Sequence, residues 1–140
     1  MAPDSTEWGS EGAEKRKSSP ANGRRILIVD DEEAVAKSLK MVLTNLGHSI
    51  EIAENVEQAL KLFDNAKYDL IMTDFALGKL TGLDLARAIK SKSPSMPIIL
   101  ITAYAESLSA GTGRLSDFVC VLGKPFSLQE IQGAIAKAFA

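Results

Sequence analysis

From Arg24 onward, short runs rich in Ile, Leu and Val alternate with stretches whose apolar residues recur at helical spacing. This alternation restricts the fold more than any other feature of the chain. The runs are RILIV (25–29), SIEIA (49–53), DLIMT (69–73), PIILIT (97–102) and FVCVL (118–122). Most are apolar at successive positions, as strands of a parallel sheet covered on both faces must be, whereas SIEIA alternates like an edge strand. Between them, Val35, Leu39, Val42 or Leu43, and Leu46 form one helical stripe, stopped by Gly47. Val56, Ala59, Leu60 and Phe63 form a second, opened by Asn55 with Gln58 three residues on. Thr81 with Asp84 opens Leu83, Ala86 and Ile89; Ser127 with Glu130 opens Leu128, Ile131, Ile135 and Phe139. The intervening segment 105–117 is interrupted by Gly111 and Gly113, and each mid-helix glycine costs about 0.5–1 kcal/mol relative to alanine, which predicts a short or frayed helix. The pattern is α/β, a (βα)5 unit with a five-stranded parallel sheet and helices on both faces.

Composition sets the limits around this pattern. A length of 140 residues suits one domain, and 46% hydrophobic residues suffice for its core. Residues 1–23 carry no apolar periodicity and one aromatic, Trp8, so they read as a disordered N-terminal tail ahead of a domain at 24–140. The tail's Lys15-Arg16-Lys17 run reads as a solvated leader, since three adjacent bases are a weak signal for a partner. A net charge of −2 gives no general attraction to nucleic acid or an anionic membrane. The longest apolar run, 97–103, is far short of a membrane span, and the first residues lack the apolar core of a secretion signal. The single cysteine, Cys120, cannot form an internal disulfide and reads as an inert thiol buried in a strand. His48 reads as an exposed residue at a strand start. A cytoplasmic domain is the expectation.

In an open parallel α/β sheet, ligands bind beyond the carboxyl ends of the strands. The first strand ends in Asp30-Asp31 followed by Glu32-Glu33, the third in Asp74, the fourth in Thr102 and the fifth in Lys124, while the second ends in Ala53. One aspartate would suffice as a helix cap, so core packing and capping leave this convergence unexplained. The first turn carries acids and lacks a glycine-rich phosphate loop, which argues against flavin, dinucleotide and nucleoside triphosphate binding. Two carboxylates about 4 Å apart repel by roughly 4 kcal/mol at an effective dielectric of 20. The cluster therefore needs Lys124, a hard divalent cation such as Mg²⁺, or protons. With the third strand between the first and fourth, Asp74 lies about 4.8 Å from each neighbour and about 9.6 Å from the fifth, within reach of a lysine stem. A carboxylate flanked by a metal, a hydroxyl and an ammonium is arranged to accept a phosphoryl group, with Asp74 the nucleophile.

These residues, with Gly82 eight positions beyond Asp74, Ile101-Thr102-Ala103 and Lys124-Pro125-Phe126, resemble the response-regulator receiver domain of two-component signalling. The resemblance covers residues 24–140 in order and at similar spacing. It implies a flavodoxin-like fold with strand order 2-1-3-4-5 and a cis Lys124–Pro125 bond. It also implies Mg²⁺ held by Asp31, Asp74 and the backbone carbonyl of Ala76, with Asp30 acting through water. The phosphodonor would be a histidine kinase or histidine phosphotransfer protein. Thr102 and Lys124 would read the phosphorylated state for a downstream protein or output domain. The domain would catalyse only its own phosphorylation and dephosphorylation.

The sequence departs from the family at several positions. The Tyr or Phe usual three residues before the lysine is Val121, so Tyr104 is a candidate substitute or a rim residue. The proline common four residues beyond the acceptor is Gly78. Ala76 offers no amide or carboxylate to hold a hydrolytic water, which predicts slow self-dephosphorylation. Two other readings stay open. A Mg²⁺-dependent phosphohydrolase is disfavoured because position 76 is not a second aspartate and no cap insertion supplies a substrate pocket. A non-phosphorylated docking module is disfavoured by the intact acids, Thr102 and Lys124. The kinase, the target, a phosphorylation-dependent dimer, and whether the domain stands alone or belongs to a larger protein are not legible in the residues.

Overall fold

The computed structural model describes residues 23–103 and 116–140. The expected tail up to residue 22, Tyr104 and the expected weak helix up to residue 115 lie outside them. In chain order the elements are β1 (Arg25–Val29), α1 (Glu33–Asn45), β2 (Ser49–Ala53), α2 (Val56–Asn65), β3 (Leu70–Asp74), the short strands β4 (Ala76–Leu77) and β5 (Leu80–Thr81), α3 (Gly82–Lys92), β6 (Ile98–Thr102), β7 (Cys120–Gly123) and α4 (Leu128–Ala138). The five long strands form one parallel sheet in the order β2-β1-β3-β6-β7. This is the expected 2-1-3-4-5 order, with β4 and β5 pairing separately as an antiparallel hairpin.

The continuous apolarity of the central strands follows from two cores, one on each face. Leu27, Val29, Ile71, Ile98 and Leu100 pack with Val56 and Ala59 of α2 and Leu85, Ala86 and Ile89 of α3. The alternate residues Ile26, Ile28, Leu70, Met72, Ile99 and Ile101 pack with Ala36, Leu39 and Leu43 of α1 and Ile131, Ala134 and Ile135 of α4. Because strand side chains alternate in direction, a strand buried on both faces needs an apolar residue at every position. Burial of each such Ile or Leu stabilises by about 1.5–3 kcal/mol. β2, at the sheet edge, shows the alternating exposure its sequence suggests.

The starts of α2, α3 and α4 follow their capping residues. Asn55 accepts from the Gln58 amide, and Thr81–Asp84 and Ser127–Glu130 form reciprocal capping boxes. Gly47, with φ +99°, stops α1 in the left-handed region where glycine bears no penalty. Two stripes are offset from expectation. In α1, Ala36 is buried while Val35 is half-exposed. In α4, Ala134 is buried while Leu128 is 50% exposed. In both helices a small side chain joins the large ones in the core, while one large residue of the expected stripe is left at the margin. β3 and β7 also begin later than their apolar runs, at Leu70 and Cys120. Cys120 is half-buried rather than enclosed, and His48 is half-buried, its Nδ1 accepting the Arg24 N–H at 3.1 Å.

Candidate functional site

The polar strand endings gather at the carboxyl edge of the sheet. Asp30 follows β1, and its amide donates to the Ala53 carbonyl of β2 at 3.0 Å. Asp74 closes β3 and sits opposite Ile101 of β6, which places Thr102 one residue further along the neighbouring strand. Thr102 in turn pairs with Gly123 of β7, and its carbonyl accepts the Lys124 amide at 2.9 Å. Asp30, Asp74 and Thr102 are buried, whereas Asp31 is exposed.

One carboxylate oxygen each from Asp30, Asp31 and Asp74 lie within 4.8 Å of one another. Lys124, although two strands from Asp74, sets its Nζ 3.3 Å from Asp30 Oδ2, 3.5 Å from Asp74 Oδ2 and 3.2 Å from Glu32 Oε1. Among the described residues, Asp30, Asp74 and Glu32 thus share the Lys124 ammonium beside the carboxylate of Asp31, leaving an excess of negative charge in a partly desolvated place. Burial, then the Asp30 charge, pushes the Asp74 carboxyl above the usual carboxylate range, against the opposing pull of Lys124 and the Phe75 amide. Burial pulls the Lys124 ammonium down. The Asp30 and Asp74 charges, with hydrogen bonds to Glu32 and Asp30, outweigh it and leave Lys124 above its ordinary value. Oxygen donors in this number, with uncompensated charge, fit a small divalent cation.

The acids are held by the local backbone. Asp30 Oδ1 accepts the Glu32 amide at 2.9 Å, and Asp74 Oδ1 accepts the Phe75 amide at 2.8 Å. Thr73, fully buried, donates its hydroxyl to the Asp74 carbonyl at 2.9 Å, which satisfies a polar group inside β3. Neither Asp30 nor Asp31 caps α1. Glu32 holds the cap position and makes no side-chain cap hydrogen bond, turning its carboxylate to Lys124 instead. Glu32 is the site residue that sequence reasoning missed. Its signal was a glutamate at a helix start, where Ser, Thr, Asp and Asn are preferred.

Gly82 has a reason in close approach. A Cβ there would lie 2.5 Å from the Asp74 carbonyl oxygen, and the Gly82 amide donates to the Phe75 carbonyl at 2.7 Å. Gly78 has a reason in conformation. It takes φ +85° at the first central position of the β4–β5 turn, which proline, fixed near −65°, cannot adopt. Ala76 is exposed on β4. Val121 is half-buried opposite Leu100, packed against the core on the α2/α3 face. The Lys124–Pro125 bond is cis.

The family model described as "Response regulator receiver domain" matches residues 26–136. Among curated proteins, a probable transcriptional regulator ycf27 of Cyanidium caldarium is 40% identical over 113 residues, covering 79% of this chain and 44% of its own length. The response regulator MprA of Mycobacterium sp. (strain KMS) is 34% identical over 110 residues, covering 76% and 46%. The chain therefore spans less than half the length of these relatives. Among solved structures, response regulator protein TrrA from Thermotoga maritima, in complex with Mg²⁺ and BeF, superposes with a TM-score of 0.76 at 35% identity, covering 82% of this chain and 98% of that one. The non-phosphorylated HemR receiver domain from Leptospira biflexa does so with a TM-score of 0.73 at 28% identity, covering 83% and 94%.

Proposed function

The chain belongs to the response regulator receiver domain family, and on that premise we propose that Asp74 is its phosphoacceptor, served by Asp30, Asp31, Thr102 and Lys124. The carrying observation is the three-acid cluster closed on one side by the Lys124 ammonium, 3.5 Å from Asp74 Oδ2. Family membership makes the domain a signalling module rather than a classical enzyme; its chemistry is confined to its own side chain.

In the proposed step a carboxylate oxygen of Asp74 attacks phosphorus, the bond to the donor's imidazole nitrogen breaks, and its electron pair returns to the ring. The product is an acyl phosphate on Asp74. Asp31, Asp74 and the Ala76 carbonyl would hold Mg²⁺ directly. Asp30, its two oxygens engaged by the Glu32 amide and Lys124, would act through water. The metal, when bound, would neutralise charge on the acids and on the transferring group. Lys124 would exchange its contact with Asp74 for a phosphoryl oxygen, and Thr102 would donate its hydroxyl to another. Each contact is stronger with the phosphorylated state than without it, which is how a modification shifts a population between conformations.

The donor class is a histidine kinase or histidine phosphotransfer protein. The output is a downstream protein or a further domain, as the longer relatives suggest. The module is placed in the cytoplasm, at residues 24–140. No helix among the described residues is long and apolar enough to cross a membrane. Incubation with acetyl phosphate and Mg²⁺, followed by intact mass measurement, tests the proposal. The wild type gains one phosphoryl group, and Asp74→Asn gains none. Sustained turnover of p-nitrophenyl phosphate by the wild type would instead identify a phosphohydrolase.

A further inference from the structure

The amino edge of the sheet carries a cavity that the phosphoacceptor site does not use. It holds about 360 Å³ and lies between Leu46 and His48, where α1 gives way to β2, and Ile135 and Phe139 at the end of α4. Arg24 completes its wall. Arg24 stands just before β1 and Asp30 just after it, so the strand separates this cavity from the acidic cluster.

The charges around the cavity are one-sided. Among the described residues that line it, none is acidic. Arg24 is half-buried, and its guanidinium sits 4.2 Å from the centre of the Phe139 ring. That ring answers the charge but accepts none of the N–H groups in the guanidinium plane as a carboxylate would. Among the described residues no carboxylate pairs with Arg24, whereas the next residue, Arg25, has Glu51 at 3.8 Å.

His48 adds a donor. Its Nδ1 accepts the Arg24 amide N–H at 3.1 Å, so the neutral ring carries its proton on Nε2. Burial, then the Arg24 charge, lowers its pKa and keeps the ring neutral at physiological pH. Two donors thus stand in an otherwise apolar pocket of Leu46, Ile135 and Phe139.

We propose that this cavity is a second binding site, for a small carboxylate with an apolar body. The carboxylate pairs with the Arg24 guanidinium and accepts the His48 Nε2–H, and the body lies on Leu46, Ile135 and Phe139. The guanidinium selects an anion, and its planar fork matches a carboxylate through two parallel hydrogen bonds. The apolar walls select a carbon chain or ring over inorganic phosphate. A mostly apolar pocket with few convergent polar groups, at the small end of the usual range of about 300–1,000 Å³, suits a ligand of that size. Nothing in this assignment depends on phosphotransfer to Asp74.

Hexanoate is the probe, with hexanol as its uncharged counterpart. Each is titrated into the ¹⁵N-labelled full chain while the backbone amide and His48 ring resonances are followed. Hexanoate is expected to saturate shifts at Arg24, His48 and Phe139 at about millimolar concentration, as a ligand of few atoms allows. Hexanol should bind at least about tenfold more weakly, as loss of a charge-assisted hydrogen bond implies. Arg24→Met, which keeps the stem and the amide bonded to His48, should weaken hexanoate about tenfold and leave hexanol unchanged. The comparison of the two probes in the wild type needs no variant, so it decides the matter even where Arg24→Met does not fold. Equal affinity for hexanoate and hexanol, hexanoate shifts that spare Arg24 and His48, or no saturation overturns the proposal. So does hexanoate binding unchanged in a folded Arg24→Met. Shifts at these residues that grow with protein concentration in the absence of probe would assign the cavity to a second copy and equally overturn it.

Discussion

The backbone of Gly82 passes so close to Asp74 that a methyl group on it would sit 2.5 Å from the Asp74 carbonyl oxygen and 3.1 Å from Leu100 Cδ1. Strand β3 and the start of α3 are therefore locked together by the absence of a side chain. Gly82→Ala must push the Asp74 backbone or α3 aside, and overpacking of this kind costs about 1–3 kcal/mol. Gly133, in α4, has open space around its would-be Cβ. Gly133→Ala should stabilise by about 0.5–1 kcal/mol through helix propensity. Urea unfolding of the two variants against wild type should show shifts of opposite sign.

The raised pKa of Asp74 has a consequence for stability. Burial and the Asp30 charge make the folded chain bind this proton more tightly than the unfolded chain, whose value is near 3.8. Stability contributed by the protonated form is present below that value and is lost as pH rises through the higher folded value. At neutral pH the ionised carboxyl is a cost, so Asp74→Asn should be more stable than wild type without Mg²⁺ and should lack that part of the pH dependence. Mg²⁺ should reverse the order. Wild type gains about 2.7 kcal/mol at a hundred times Kd, and the variant gains less. Thermal unfolding across pH, with and without MgCl₂, checks both statements.

His48 titrates in the opposite sense. Burial, then the Arg24 charge, lowers its pKa below 6.5, and its Nδ1 accepts the Arg24 amide, a role lost on protonation. The contribution is present above the unfolded value of 6.5 and falls away as pH drops toward the lower folded value. His48→Gln, which keeps an acceptor without the titration, should flatten unfolding free energy over that window. An unchanged slope would place the acid sensitivity elsewhere.

Ala76, exposed on β4 two residues beyond Asp74, can neither orient nor deprotonate a water approaching an acyl phosphate. Ala76→Glu and Ala76→Asn should speed decay of the phosphorylated form by about ten- to a hundredfold, at or below the usual contribution of a positioned base. Phosphoprotein gel mobility against time measures it; equal or slower decay would show that Ala76 does not set the lifetime.

Much of this architecture was legible because parallel strands advertise themselves. Ile71, Met72, Ile98, Ile99 and their neighbours must be apolar in succession when helices cover both faces. The acids, Thr102 and Lys124 were legible because polar residues at strand ends lack a packing explanation. Less legible were the choices decided by tertiary proximity. Leu128 fits the apolar stripe of α4 yet stands 50% exposed at the first residue of the helix, while Ala134 is buried. Glu32 was overlooked because its partner, Lys124, is 92 residues away. Gly78 read as a departure from a pattern until the turn gave its φ a reason.

The central claim concerns one carboxyl group, and chemical trapping addresses it directly. Borohydride reduces an aspartyl phosphate to homoserine, and peptide sequencing by mass spectrometry locates the change. After incubation with acetyl phosphate and Mg²⁺, homoserine is expected at position 74 alone. Homoserine at another position, or unmodified Asp74 in a chain that has gained a phosphoryl group, would contradict the account.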